Sequence, residues 1–245
     1  MPIVSYSKRI IQRLFNNIGL DIVRSSKNPL RSFLGLKNLP IKTIIDVGAN
    51  TGQFAKKISS DFPQAYIYSF EPILEPFETL KKWADKQNGR VKVFNIALGD
   101  RDGQIEMFSH INHTPSSSTL KTTRLCEGLY PFTRKQTSVS VNLTTLNKFI
   151  ANLSESLPRD ILIKLDVQGY EDRVIRGGTE IFRKASACIS EISLDQLYEG
   201  QATFKDILLV FYHLGYKYAG NIEQKYAYDG HVISIDALFV NATVL

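Results

Sequence analysis

The groups in this chain best suited to chemistry are acidic residues placed just after apolar runs. Asp46 sits near the end of the run TIIDV. Gly48, Asn50, Thr51 and Gly52 follow it, with Phe54 two residues further on. A glycine turn between a strand and a helix lets the backbone approach a ligand closely and aims N–H groups and a helix N-terminus at it. Asn50 stands between the glycines, and Asn tolerates the left-handed conformation better than most residues. Glu71, followed by Pro72, closes the run YIYSFEP. It falls about twenty residues past the turn, where a carboxylate accepts hydrogen bonds from the vicinal hydroxyls of a ribose. The turn reads G-x-x-x-G, not G-x-G-x-x-G, so it suits a nucleoside ligand without a pyrophosphate, and Asp46 suits a cationic group on that ligand. Asn95 and Ala97, in NIALGD, either border the base or belong to a plain turn at Gly99-Asp100.

A second acidic group lies later in the chain. Asp166 ends the run ILIKLDV, with Lys164 two residues before it on the same strand face and Glu171 five residues after it. Asp166 fits a general base for a reacting hydroxyl, or a helix N-cap. Lys164 fits the role of holding Asp166 ionised or orienting a substrate. Glu171 and Glu191 are further acidic candidates at strand ends. Asp166, Glu171 and Glu191 are also the oxygen ligands that hard cations use, but any open α/β site offers such acids, and no metal is expected. Ser116, Ser117 and Ser118 lie in a Ser/Thr-rich stretch, Thr114 to Thr119, that fits a lid whose hydroxyls bond a polyol substrate, or a flexible linker. Of the four histidines, His113 is the one that abuts this stretch.

These residues must be positioned by alternating elements. The pattern predicts strands at 41–47, 65–70 and 91–97, with helices at 53–61 and 76–88 between them. Strand–helix alternation implies right-handed parallel crossovers and a doubly wound sheet. Strands are predicted again at 161–167 and 187–192, and helices at 171–176 and 204–214, the latter closed by Gly215. The last two strands, 216–219 and 233–240, leave no room for a crossover helix and should pair as an antiparallel hairpin. Residues 104–109 and 137–143 alternate like strands around an irregular middle, so 101–160 reads as an insertion or lid within a domain spanning 41–245. Residues 1–40 read as an amphipathic arm. Ile10, Ile11, Leu14, Phe15 and Ile18 recur at helical spacing, in a helix packed on the domain or lying on a membrane surface.

Bulk properties narrow the classes. The chain has 245 residues and a net charge of +6, enough for one large domain with a full core. The basic residues are heaviest near the N-terminus, in a solvated arm or one that meets membrane phosphates. They form no dense nucleic-acid block, and the fourth parallel strand is followed by DVQGY, not the NPPY-type motif of base-flipping enzymes. No nucleic-acid partner is expected. No apolar run is long enough to span a membrane and no secretory pattern opens the chain, so a cytoplasmic location is expected. The two cysteines, Cys126 and Cys188, match no metal or disulfide pattern.

The motifs DVGANTGQF, SFEP, ALGD, PSSST, KLDVQGYE and IDALFV, in that order, resemble the FkbM-type methyltransferase family over roughly residues 41–240. The resemblance implies a Rossmann-like class I methyltransferase fold with a mostly parallel seven-stranded sheet and a C-terminal antiparallel hairpin. It implies S-adenosyl-L-methionine as cofactor and O-methylation of a hydroxylated small molecule, a sugar or glycoconjugate. The alternative is a cofactor-fold protein that has lost catalysis and acts as a binding or assembly subunit. The family often has Glu where this chain has Gln168, which is read here as a helix-start residue. The acceptor's identity and the oligomeric state are not encoded in any motif.

Overall fold

The computed structural model describes residues 11–20, 28–110, 114–154 and 157–243. At its centre is β1 (Thr43–Val47), all five residues of which are buried. Such a run, apolar except for Thr43 and Asp46, is what a parallel strand covered on both faces requires. Around it lie β2 (Tyr66–Phe70), β3 (Val91–Phe94), β7 (Ile161–Leu165), β8 (Ala187–Ser193), β9 (Tyr216–Tyr226) and β10 (Val232–Asn241). They form one seven-stranded sheet in the order β3-β2-β1-β7-β8-β10-β9. The first five are parallel, and β10 runs antiparallel to both β8 and β9. The parallel sheet and the terminal hairpin are those expected.

The strand period of two divides the apolar residues between two cores. Ile45, Phe70, Ile163 and Phe239 face one core, and Ile44, Ile67, Leu162 and Leu238 the other. Helices α1 (Gln53–Asp61) and α2 (Leu74–Ala84) cross between the first strands. Helix α7 (Phe204–His213) starts with a reciprocal capping box between Thr203 and Asp206. Just past its end, Gly215 takes the left-handed conformation, φ +90°.

The structure refines the predicted pattern in four places. The third strand stops at Phe94. Ala97–Leu98 (β4) belongs instead to a second, three-stranded sheet with β5 (Gly103–His110) and β6 (Gln136–Thr144). In this sheet β5 and β6 pair antiparallel, and β4 lies parallel beside β6. Three short helices are not predicted from the pattern: α3 (Arg124–Leu129), α4 (Leu146–Ala151) and α6 (Thr179–Lys184). Tertiary contacts fix them, as where Phe149 of α4 packs edge-on against Phe70 and Phe94 with centroids 4.8 and 4.7 Å apart. Next, the end of the arm is not separate from the domain, because Phe33 and Leu36 are buried in the second core. Lastly, residues 11–16 are helical but Ile11, Leu14, Phe15 and Ile18 are exposed, so this helix does not bury its apolar face on the domain.

Candidate functional site

The glycine turn follows β1 at the carboxyl edge of the parallel strands, where open α/β sheets bind ligands. Gly48 and Gly52 have φ of +79° and +87°, and Asn50 between them adopts +46°. Gly48 has no substitute, since a Cβ there would lie 1.9 Å from the backbone oxygen of Asp166. The turn after β1 is thus pressed against the turn after β7.

The N–H groups of this turn do not point at a ligand, which corrects the expectation from sequence. Gly48 and Ala49 donate to the carbonyl of Phe70 at 3.0 Å, and Gly52 donates to Ala49 at 2.8 Å. Thr51 donates to the side-chain oxygen of Asn50, and Asn50 donates to Glu71 Oε2, both at 2.8 Å. All five donors from Gly48 to Gly52 are used inside the fold. A diphosphate would find no free backbone cradle here; the turn instead brings side chains to the edge.

Glu71 sits at that edge, 4% exposed, with Oε1 accepting from Ile73 N at 2.8 Å. Each carboxylate oxygen retains a second lone pair. Burial pushes its carboxyl up to about 7, against the lowering effect of the Ile73 and Asn50 N–H groups. Asp46 is 1% exposed. Burial pushes it also to about 7, although Lys164, its register partner on β7, pulls the other way. Asn95 lies behind this wall. Its Nδ2 donates to the carbonyls of Glu71 and Pro72 at 3.0 and 2.8 Å, so it braces the segment that carries the carboxylate.

The second acidic group converges on the same edge. Lys164, 5% exposed, places Nζ 3.4 Å from Asp166 and 3.1 Å from Asp236. Burial alone would lower its pKa, but Asp166, Asp236 and Glu191 outweigh that and keep it charged. Burial would likewise raise Asp166, yet Lys164 holds that carboxyl well below the usual range. Its side chain remains 38% exposed toward the cleft, so Asp166 is the reachable, ionised member of the group. Glu191 lies behind it, bonded to Lys225 Nζ at 2.5 Å and to Gln168 Nε2. Burial and the Asp166 charge push its carboxyl up.

Gln168 and Glu171 differ from the sequence reading. Gln168 does not start the helix, since α5 (Glu171–Gly177) begins three residues later. Gln168 has φ +54°. Its Nε2 donates to Asp166 at 2.7 Å as well as to Glu191, and its Oε1 accepts from the Tyr198 hydroxyl at 2.7 Å. A neutral amide here bridges two carboxylates, where a glutamate would repel both. Glu171 Oε1 accepts from Val167 N at 3.1 Å and Gly169 N at 3.2 Å. It braces the turn after β7 and does not line the cleft.

Asp46, Glu71 and Asp166 open on one cleft of about 330 Å³, within the range of small-ligand sites. Gly48, Asn50, Phe54, Pro72 and Ala97 also line it; Thr51, Gly52 and Asn95 do not. Ile96, Leu98 and Met107 give it an apolar wall. From the Ser/Thr-rich stretch, Ser117 lines the cleft, whereas Ser118 Oγ donates to the Gln168 carbonyl at 2.7 Å and the Ser116 carbonyl lies 3.1 Å from the Tyr198 hydroxyl. His113 lies outside the described residues. Thr114 and Thr119, from the same stretch, also line the cleft, as does Asp236, which sequence reasoning missed. The signal for Asp236 was present, as a charge inside the apolar strand 233–240. The Thr119 Oγ1 is buried without a hydrogen-bond partner among the described residues.

The donor set fits S-adenosylmethionine. Asp46 and Glu71, both made hard to ionise by burial, would accept its ammonium and hydroxyl hydrogens. An apolar wall suits a purine, and no backbone cradle is left for a diphosphate.

Residues 46–218 match the model of the methyltransferase FkbM domain. A 2-O-methyltransferase, NoeI, of Sinorhizobium fredii is 28% identical over 196 residues, covering 78% of this chain and 79% of that protein. A hexuronic acid methyltransferase, AglP, of Haloferax volcanii is 26% identical over 147 residues, covering 60% of this chain and 54% of that protein. Among solved structures, methyltransferase FkbM from Methylobacillus flagellatus aligns with a TM-score of 0.50 at 12% identity. It covers 84% of this chain, which spans about half of that protein (47%). The matched model begins at the very aspartate that opens the cleft and covers most of the chain: this protein belongs to the FkbM methyltransferase family and is an S-adenosylmethionine-dependent methyltransferase.

Proposed function

We propose that this enzyme methylates a hydroxyl oxygen of a sugar or glycoconjugate, and that Asp166 receives the proton which that oxygen loses. The observation that carries the reading is the ionised Asp166, held by Lys164 and open to the cleft that Asp46 and Glu71 share. The names of the two relatives, a 2-O-methyltransferase and a hexuronic acid methyltransferase, favour a sugar-type acceptor.

S-adenosylmethionine supplies an electrophilic methyl group. Glu71 would hold its ribose hydroxyls and Asp46 its cationic end, with Phe54, Pro72 and Ala97 shaping the remainder. The acceptor then needs positioning more than activation. An alcohol oxygen becomes strongly acidic once it carries a second carbon, so its proton passes late to any carboxylate within reach. A low pKa therefore does not disqualify Asp166 as the base. Thr114, Ser117 and Thr119 line the same space, which suits a polyol. Glu171, Glu191 and Gln168 act at one remove, by fixing the turn and the charge of Asp166.

The test is calorimetric titration of the protein with S-adenosylmethionine, together with the Glu71→Ala and Asp166→Ala variants, followed by a panel of hydroxylated sugars and uronic acids. The expected result is binding by the wild type, lost in Glu71→Ala and kept in Asp166→Ala, with turnover absent in the latter. Binding without turnover on any hydroxylated acceptor would favour a non-catalytic subunit instead.

A further inference from the structure

Residues 11–16 form a helix that the folded domain does not cover. Ile11, Leu14 and Phe15, at the i, i+3, i+4 spacing of one helix face, are 47%, 61% and 40% exposed, and Ile18, in the turn that follows, is 69% exposed. Four large apolar side chains exposed within eight residues call for a partner with an apolar phase.

Charge indicates which partner. The first 31 residues hold Lys8, Arg9, Arg13, Arg24, Lys27 and Arg31 against the single acid Asp21. Five of the chain's six net positive charges thus lie in this segment, and the remaining residues nearly balance. A second copy packed on these side chains would set six cations against six. A nucleic acid would neutralise the charge but give Leu14 and Phe15 no apolar phase. An anionic lipid surface meets both needs: acyl chains accept the apolar side chains while headgroup phosphates face the flanking cations. Among the described residues no helix is long and apolar enough to cross a membrane, so the segment would lie along the surface.

We propose that the N-terminal helix docks this enzyme on an anionic membrane surface through Ile11, Leu14, Phe15 and Ile18, with its basic neighbours on the headgroups. This goes beyond the reaction and does not depend on the acceptor.

The test is co-sedimentation of the full chain with vesicles of phosphatidylcholine alone and with vesicles containing about one-third phosphatidylglycerol. The expected result is partitioning to the anionic vesicles at least about tenfold stronger than to neutral ones, weakened by added salt. The double variant Leu14→Ser, Phe15→Ser should reduce it by roughly tenfold or more while leaving S-adenosylmethionine binding intact, since neither residue contributes to the core. Failure to sediment with either vesicle, or equal binding to both, would overturn the proposal. So would a wild-type dimer that the double variant converts to monomer without vesicle binding, since the apolar side chains would then belong to a contact with a second copy. A failed acceptor screen would leave this measurement unaffected.

Discussion

The substitution Glu171→Gln should stabilise the protein above neutral pH and do little at acid pH. Glu171 is 5% exposed, and burial pushes its carboxyl from 4.5 up to about 7 despite the N–H groups of Val167 and Gly169. The folded pKa thus lies above the unfolded one. Protonated Glu171 is compatible with the fold at low pH, and the associated stability is lost as pH rises from about 4.5 through about 7. Between pH 5 and pH 8 this single group should cost about 2.5 kcal/mol. The amide of the variant would keep an oxygen to accept both N–H groups and would remove the buried charge. Its amide hydrogens introduce donors that cost about 1 kcal/mol if left unbonded, at either pH. Urea unfolding of both proteins at pH 5 and pH 8 reads the difference. The expected result is a variant slightly less stable than wild type at pH 5 and more stable by about 2 kcal/mol at pH 8. A variant-minus-wild-type difference that does not change with pH would mean the carboxylate is ionised throughout, held by its two N–H groups, and the reasoning would be wrong.

Other residues give equally direct tests. Lys164→Met leaves Asp166 and Asp236 without their shared cation. It should lower stability by about 2–3 kcal/mol in thermal or urea unfolding, less than for a fully buried pair because both acids keep partial exposure, and it should move the acid limb of the pH–rate profile upward as Asp166 becomes easier to protonate. Gly48→Ala drives a methyl into the Asp166 carbonyl at a positive φ and should cost about 3 kcal/mol or more; a melting temperature within a degree or two of wild type would contradict the contact. Thr119→Val removes a buried hydroxyl that has no partner among the described residues, so stability in urea unfolding should hold or rise by about 1 kcal/mol. A clear loss of stability would show that the hydroxyl is already bonded within the fold.

Much of the architecture was legible in local pattern. Buried parallel strands such as Ile161–Leu165 read as continuous apolar runs, and Gln53–Asp61 as a helical period, because burial on both faces or on one stripe writes itself into spacing. The hairpin of β9 and β10 followed from the lack of room for a crossover. The positive φ of Asn50 followed from its place in the glycine turn. Residue type at strand ends was enough to pick out Asp46, Glu71 and Asp166, since a carboxylate at the end of a buried strand is conspicuous.

What sequence alone did not determine was direction. Spacing places Glu171 five residues past Asp166 but does not say that its carboxylate turns back onto the backbone of its own loop. The glycine turn reads as a set of N–H donors for a ligand, yet three of the five are bonded to Phe70 and Glu71 beside them and the other two within the turn itself. Gln168 reads as a helix-start residue and becomes a bridge between Asp166, Glu191 and Tyr198, partners 2, 23 and 30 positions away. Asp236 joins the cleft only because β10 lies beside β8, which carries a residue 72 positions from Lys164 to within 3.1 Å of it. Periodicity records which face a residue occupies. Its hydrogen-bond partner depends on which strand lies next to it, and strand order is a property of the assembled sheet.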